Sequence, residues 1–267
     1  MIVERNQVVV SGQPQGRPIV FVHGFGCDQS MWRQVAPSFE AEMRVVTYDL
    51  TGMGRSDLSA YDMRRYADLE AHAEDLLSIL KELDLRDAVI VGHSIGATIA
   101  LLAANQAPER VSRLVFVSPT PSFLEDQAHG YHGGFSAADL GELISFLDEN
   151  HLGWSAQLAP TIAGQPAGEP ATEELTQSFC RTDPAIAQHF GRVTFFADRR
   201  SEFEQAARPA LIIHCSNDAL VPMQVADWMR ENVPGATLKV LDATGHTPHM
   251  TVPSEVTAAI REFLEDI

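Results

Sequence analysis

Three cysteines in 267 residues, Cys27, Cys180 and Cys215, are odd in number and far apart, with no Cys-x-x-Cys pair. That excludes a disulfide framework and a thiolate zinc site, and makes a reducing compartment the expectation. Basic residues are scarce too: 19 Lys and Arg stand against 36 Asp and Glu, a formal net charge of -17. Nucleic-acid and anionic-membrane surfaces both need clustered cations, so neither is an expected partner. No uncharged apolar run is long enough to span a bilayer, and Met1-Ile2-Val3-Glu4-Arg5-Asn6 has no apolar h-region. A cytoplasmic location follows as an expectation. There is no His-Glu-x-x-His, and the glycines of Asp49-Leu50-Thr51-Gly52-Met53-Gly54 do not lead straight into an apolar-periodic helix. Neither a metal nor a dinucleotide cofactor is therefore expected.

What is present is an ordinary globular composition, 45% hydrophobic and 21% charged. The length suits one large domain that buries roughly three quarters of its unfolded surface. The informative stretch is Val89-Ile90-Val91-Gly92-His93-Ser94-Ile95-Gly96, an apolar run that reads as a buried strand ending in a Gly-x-Ser-x-Gly turn. A serine used as a nucleophile must stand clear of the backbone beside a base, and a sharp strand-to-helix turn exposes it in that way. Gly92 and Gly96 suit a turn with no room for a Cβ. Ala97 to Ala104, apolar all round, reads as the buried helix that should follow, ending before Pro108.

Taken in order, Gln7 to Val10 reads as an opening strand and Pro18 to Val22 as a buried one ending in His23-Gly24-Phe25-Gly26. A short helix should begin near Ser30, with strands at Arg44 to Tyr48 and Leu114 to Val117 and an amphipathic helix over Tyr66 to Leu83. This alternation predicts an α/β fold with a mostly parallel sheet. From about Pro119 to Asp198 no strand pattern appears. Ser136-x-x-Asp139 and Asp183-Pro184 read as helix starts, and Ala159 to Pro170 as a Pro/Gly-rich joint between helices. The expected division is a core of residues 1–118 and 199–267 and a helical lid of residues 119–198. Strands then resume at Ala210 to Cys215 and Thr237 to Leu241, and a final helix carries Val256, Ile260, Phe263 and Leu264 on one face.

Asp218 and His246 each stand just beyond one of these last strands. With Ser94 they give the chain order Ser, Asp, His, in which an imidazole takes the serine proton and a carboxylate orients the imidazole. In an open parallel sheet the carboxyl ends of the strands share one crevice, so such distant residues can meet. Asp242 and Asp126 are rival acids. His23, His93 and His249 read as packing or hydrogen-bonding residues. The backbone N–H groups of Phe25 and Ile95 are the expected oxyanion donors. Phe123, Phe135, Trp154, Phe179, Phe195 and Phe196 could line an apolar pocket over Ser94. Asp at the elbow would mean dehalogenase or epoxide hydrolase chemistry; Ser94 excludes both.

His23 to Ser30, Leu58 to Asp62, Val91 to Ser94, Tyr131-His132-Gly133-Gly134-Phe135, Ser178 to Pro184 and Gly245-His246-Thr247-Pro248-His249 resemble the RsbQ-type stress-signalling hydrolases of bacteria, nearly end to end. The plant strigolactone and karrikin receptors are similar too, including the Tyr-His-Gly-Gly-Phe segment. At His23 the chain sides with the plant receptors, since Pro stands there in RsbQ. The resemblance implies an α/β-hydrolase fold with a V-shaped lid of four helices and a Ser94/Asp218/His246 triad. It also implies a pocket for a small hydrophobic molecule lined by residues such as Phe25, Phe123, Phe135, Leu143 and Trp154; His93, Leu158 and Phe195 complete the expected lining. The implied partner is a PAS-domain phosphatase; the alternatives are a metabolic esterase or lactonase, or a receptor-like sensor with slow turnover.

Overall fold

The computed structural model describes residues 1–265. Its centre is a seven-stranded sheet made of β1 (Val9–Gly12), β2 (Pro18–Val22), β3 (Arg44–Thr47), β4 (Ala88–His93), β5 (Val111–Val117), β6 (Ala210–Asn217) and β7 (Ala236–Thr244). The spatial order is β1-β3-β2-β4-β5-β6-β7. Only β1 runs antiparallel to its neighbour; the other pairs are parallel. β4 is buried at every position because it pairs on both sides and is covered on both faces, the reason its sequence is a continuous apolar run. The chain winds outward one way through β2 and β3, then crosses to β4 and winds the other way. The ends of β2 and β4 therefore flank the point where strand order reverses, the position at which such sheets hold ligands.

The helices are α1 (Ile2–Arg5), α2 (Glu70–Glu82), α3 (Ile95–Gln106), α4 (Ala137–Glu149), α5 (His151–Ala163), α6 (Pro170–Arg181), α7 (Pro184–Phe195), α8 (Arg200–Glu204), α9 (Met223–Asn232), α10 (Pro248–Thr251) and α11 (Pro253–Glu265). α3 buries all of Ile95 through Ala104, and α2 and α11 each bury one stripe. Between β5 and β6 the chain leaves the sheet for α4 to α7, with α5 against α6 and α4 against α7. Ser136 and Asp139 close a reciprocal capping box at α4, and the Asp183 carboxylate caps α7 ahead of Pro184.

Several boundaries differ from the expected ones. The opening strand lies two residues later, at Val9–Gly12, because the chain turns at Gln7, in a left-handed conformation (φ 48°), before it pairs with β3. The helix expected from Tyr66 begins at Glu70, because the residues before it form a turn in which the Asp62 side chain accepts the Arg64 and Arg65 N–H groups and its carbonyl accepts the Tyr66 N–H. α5 runs through Pro160 to Ala163, so the joint before α6 is Gly164 to Glu169. The helix near Ser30 is a 3-10 turn, Gln29–Trp32. Among the described residues no helix is long and apolar enough to cross a membrane.

Candidate active site

Ser94 sits between β4 and α3 with φ 52° and ψ -121°, a strained conformation for a residue with a Cβ. Three constraints hold it there. The Ser94 N–H donates to the Val117 carbonyl (2.9 Å) and the Ala97 N–H to the Ser94 carbonyl (2.9 Å). The third is close packing around the flanking glycines. A Cβ on Gly96 would lie 2.5 Å from the His23 carbonyl oxygen, and one on Gly92 would run into the Gly96 carbonyl and lie 2.6 Å from the Ala97 Cα. Both glycines of the motif are thus required by backbone-to-backbone contact, and the one at 96 presses the start of α3 against the end of β2.

β6 and β7 deliver the other two groups. The His246 imidazole and the Asp218 side chain are 4% and 0% exposed. His246 Nδ1–H donates to Asp218 Oδ2 (2.7 Å), which leaves Nε2 to accept from the Ser94 hydroxyl (2.9 Å). The second Asp218 oxygen accepts from the Leu220 and Val221 N–H groups (2.9 and 3.1 Å). Burial works to raise the Asp218 carboxyl, but the electrostatic attraction of the His246 ring, its hydrogen bond and the Leu220 N–H outweigh it and hold the group below the usual range. Neither rival acid takes this place: Asp242 is an exposed residue of β7, and Asp126 pairs with His129 and Arg200.

The backbone of His246 is gripped on both sides. Its N–H donates to the Ile162 carbonyl near the end of α5 (2.7 Å), and its carbonyl accepts from His93 Nε2–H (2.9 Å). Next to this grip Gly164 and Gly245 meet main chain to main chain: a Cβ on Gly164 would lie 2.5 Å from the Thr244 carbonyl, and one on Gly245 would strike the Ala163 oxygen. His93 is fully neutral, its pKa pushed well down by burial and then by His249 and His246. His249, packed between Trp32 and His93 with tilted rings (4.5 Å to each), is pushed down to about 3, mainly by burial. His23 donates from Nδ1 to the Gly24 carbonyl and accepts the Leu50 N–H on Nε2 (2.9 Å each), which ties down the loop carrying Phe25. No hydrogen bond among the described residues occupies the N–H of Phe25 or of Ile95. Both stay available to a developing oxyanion.

Over Ser94 lies a narrow cavity of about 400 Å³. Of the expected lining residues, Phe25, His93, Phe123, Trp154 and Phe195 border it, together with Ser94 and His246. Phe135, Leu143 and Leu158 do not. Phe135 stands behind Phe123, edge-on at 6.2 Å, and α4 turns Leu140, Ile144 and Leu147 inward rather than Leu143. On α5 the buried stripe passes through Trp154, Ala159 and Ile162, leaving Leu158 half-buried beside it. Phe179 lines the cavity, 5.4 Å from Trp154, whereas Phe196 is 41% exposed. Cys27, Ile162, Leu175, Thr194, Leu220 and Thr247 were not foreseen; the only signal for them is a place on an apolar helix stripe or directly after a site residue. Burial, then Asp28 and Glu174, push the Cys27 thiol far up, so it is no rival nucleophile.

Comparison with known proteins bears on the family of the chain. The profile described as "Alpha/beta hydrolase family" matches residues 19–260. The chain is similar to Strigolactone esterase RMS3 of Pisum sativum, 35% identical over 88% of each chain. It is likewise similar to Karrikin insensitive 2 receptor IA of Petunia hybrida, 33% identical over 98% of this chain and 94% of that one. Among solved structures, a hydrolase from Oleispira antarctica superposes with a TM-score of 0.95 at 38% identity, covering 100% of this chain and 97% of that one. A strand-to-helix serine turn in a mostly parallel sheet, matched over this length, places the chain in the alpha/beta hydrolase family.

Proposed function

We propose that this chain is a serine hydrolase of small, largely apolar carboxylic esters or lactones. The observation that carries the reading is the unbroken run of hydrogen bonds from Asp218 through His246 to Ser94, ending at the floor of an apolar cavity. In the first step the Ser94 oxygen bonds to the substrate carbonyl carbon while His246 Nε2 takes the hydroxyl proton. The carbonyl oxygen, now an alkoxide, accepts from the N–H groups of Phe25 and Ile95. Collapse breaks the bond to the alcohol, which leaves with the proton from His246. Water, deprotonated by His246, then repeats the sequence on the acyl-serine and releases the acid. Asp218 stabilises the imidazolium in both halves. A fluorophosphonate probe tests this: one label on the peptide containing Ser94, absent in Ser94→Ala, is expected, and labelling that survives the substitution contradicts it.

A second reading, a ligand sensor with slow turnover, is favoured by the relatives named as receptors and by the side chains that the segment between β5 and β6 adds to the cavity wall, among them Phe123, Trp154, Phe179 and Phe195. The motif resemblance to RsbQ-type hydrolases supports a PAS-domain phosphatase as its partner. Turnover separates the readings. A metabolic enzyme should reach the usual range of about 1–10³ s⁻¹ on a good substrate. A sensor should show a stoichiometric burst of alcohol followed by an acyl-serine that persists for minutes in intact-mass spectra.

A further inference from the structure

Two hydroxyls in the cavity wall have no partner. Thr194, on α7, and Thr247, directly after His246, both line the cavity and are 2% and 1% exposed. The oxygen of each is buried without a hydrogen bond among the described residues, a state that folded proteins rarely tolerate without a reason. Each also passes over a local partner that similar residues of the same chain use. Ser155, Thr176 and Thr182 donate to the carbonyl four residues earlier, at 2.8, 2.8 and 3.2 Å, whereas Thr194 makes no such bond to Phe190. Ser136, Asn150 and Asp183 accept backbone N–H groups as helix caps, whereas Thr247, in the same position ahead of α10, caps nothing. Thr98, outside the cavity, is unpaired as well, so an orphan hydroxyl alone does not make a site. What distinguishes Thr194 and Thr247 is that they share one cavity with Ser94. Two ring nitrogens of the wall, Trp154 Nε1 and His93 Nδ1, are unpaired as well, but an indole N–H only donates and a neutral imidazole Nδ1 whose Nε2 carries the proton only accepts; apart from these, Ser94 and His246, the rest of the wall is aliphatic, aromatic or thiol.

We propose that Thr194 and Thr247 form a polar subsite for a second oxygen of the substrate. It rests on the esterase reading above and narrows it: the preferred substrates are small esters or lactones with an additional carbonyl, ether or hydroxyl oxygen, not plain hydrocarbon acyl esters. A hydroxyl both donates and accepts, so it serves any of these three. An apolar pocket discriminates weakly between hydrocarbons, while a buried polar group left unpaired by the wrong ligand discriminates strongly. That is the selectivity two threonines add to a wall whose other side chains are mostly apolar.

The test walks one oxygen along the acyl chain. p-Nitrophenyl methoxyacetate, 3-hydroxybutyrate and 4-oxopentanoate are compared with the butyrate and pentanoate, for wild type and for Thr194→Val, Thr247→Val and the two Thr→Ser variants. The readout is the ratio of kcat/KM for oxygenated over hydrocarbon ester, which cancels both intrinsic ester reactivity and general damage to the enzyme. For at least one oxygenated ester the ratio should fall about 10- to 100-fold in a Val variant, the loss expected for an unmade buried hydrogen bond, and recover in the matching Ser variant. Ratios that stay put in both Val variants, or that fall equally in Val and Ser variants, overturn the subsite while leaving the esterase standing. If wild-type Ser94 neither takes the fluorophosphonate nor hydrolyses any of the esters, the esterase reading itself has failed.

Discussion

The two walls of the cavity are held by different kinds of bond. On the sheet side, Ser94 and its neighbours are placed by main-chain contacts: the bond to Val117, the ladders of β4 with β2 and β5, and glycines packed against carbonyls. On the insertion side α6 and α7 are attached mainly through side chains. Ser178 donates to the Gly26 carbonyl (2.9 Å), Arg181 to Asp28 (3.1 Å), and the Tyr61 hydroxyl meets His189 Nδ1 (2.8 Å). Phe190, fully buried, stacks on Phe25 at 5.9 Å and packs against His72 at 4.9 Å. Main-chain bonds survive substitution and side-chain bonds do not. The wall that performs the chemistry is therefore the less mutable one, and the part of the opposite wall built by α6 and α7 can be altered residue by residue, whereas the end of α5 is tied to the His246 loop by main-chain contacts.

The largest effect expected on the sheet side comes from Asp218→Asn. It should lower kcat by a factor on the order of 10³ to 10⁴ with the fold kept, by analogy with the serine proteases, whereas Asp242→Asn should leave it nearly unchanged. The reverse result would move the acid from β6 to β7. On the insertion side Phe190→Ala should destabilise by about 3–5 kcal/mol, as for other buried aromatics. Hydrogen exchange should show the gain in opening confined to α4 through α7; equal acceleration in β4 and β5 would mean that the two walls open as one unit.

Acid should act on the sheet side and, through the contact of His72 with Phe190, on the seat of α7. His72 and His249 are neutral and buried in the folded protein, each pushed down to about 3 chiefly by burial, against about 6.5 unfolded. Below about pH 6.5 the unfolded chain takes up protons that the folded chain refuses. Stability is thus fully present above that pH and is lost as pH falls toward 3, by about 1.4 kcal/mol per unit for each group. Urea unfolding between pH 4.5 and 8 checks the sign, and His72→Phe should flatten the slope. The smallest effect is expected from Tyr61→Phe, which removes one partly buried hydrogen bond worth about 1 kcal/mol. Faster exchange in α7 with unchanged ester hydrolysis is the expected outcome.

The same division governs how much could be read from residues alone. Gly-x-Ser-x-Gly, the buried strands and the Ser, Asp, His order are local signals, because a strand covered on both faces and a turn without Cβ atoms each leave a mark within a few residues. The insertion left helices legible, through Ser136-x-x-Asp139 and Asp183-Pro184, but not their rotation. A step of one residue turns a helix by about 100°, enough to send Leu143 away from the cavity, and that angle is set by packing between helices. β1 starts later than its apolar pattern suggests for a related reason: the turn at Gln7 is made by a residue with no turn signature, whose carbonyl is held by the Gln29 side chain. Thr247 was invisible because its position promises a cap and its environment does not honour it.

The contact of Gly164 with Gly245 bears on how this protein can change over generations. Neither residue lines the cavity over Ser94. Yet each sits at positive φ, 67° and 105°, with carbonyl or amide atoms where a side chain would go, and the His246 loop rests on that contact. No single substitution can be accommodated by the other partner shrinking, since glycine has nothing left to give. A lineage that lengthens or reshapes the joint after α5 to admit a new substrate must therefore carry this one spot through unaltered, and a combinatorial library that randomises residues 160 to 166 should return glycine at 164 from nearly every active clone.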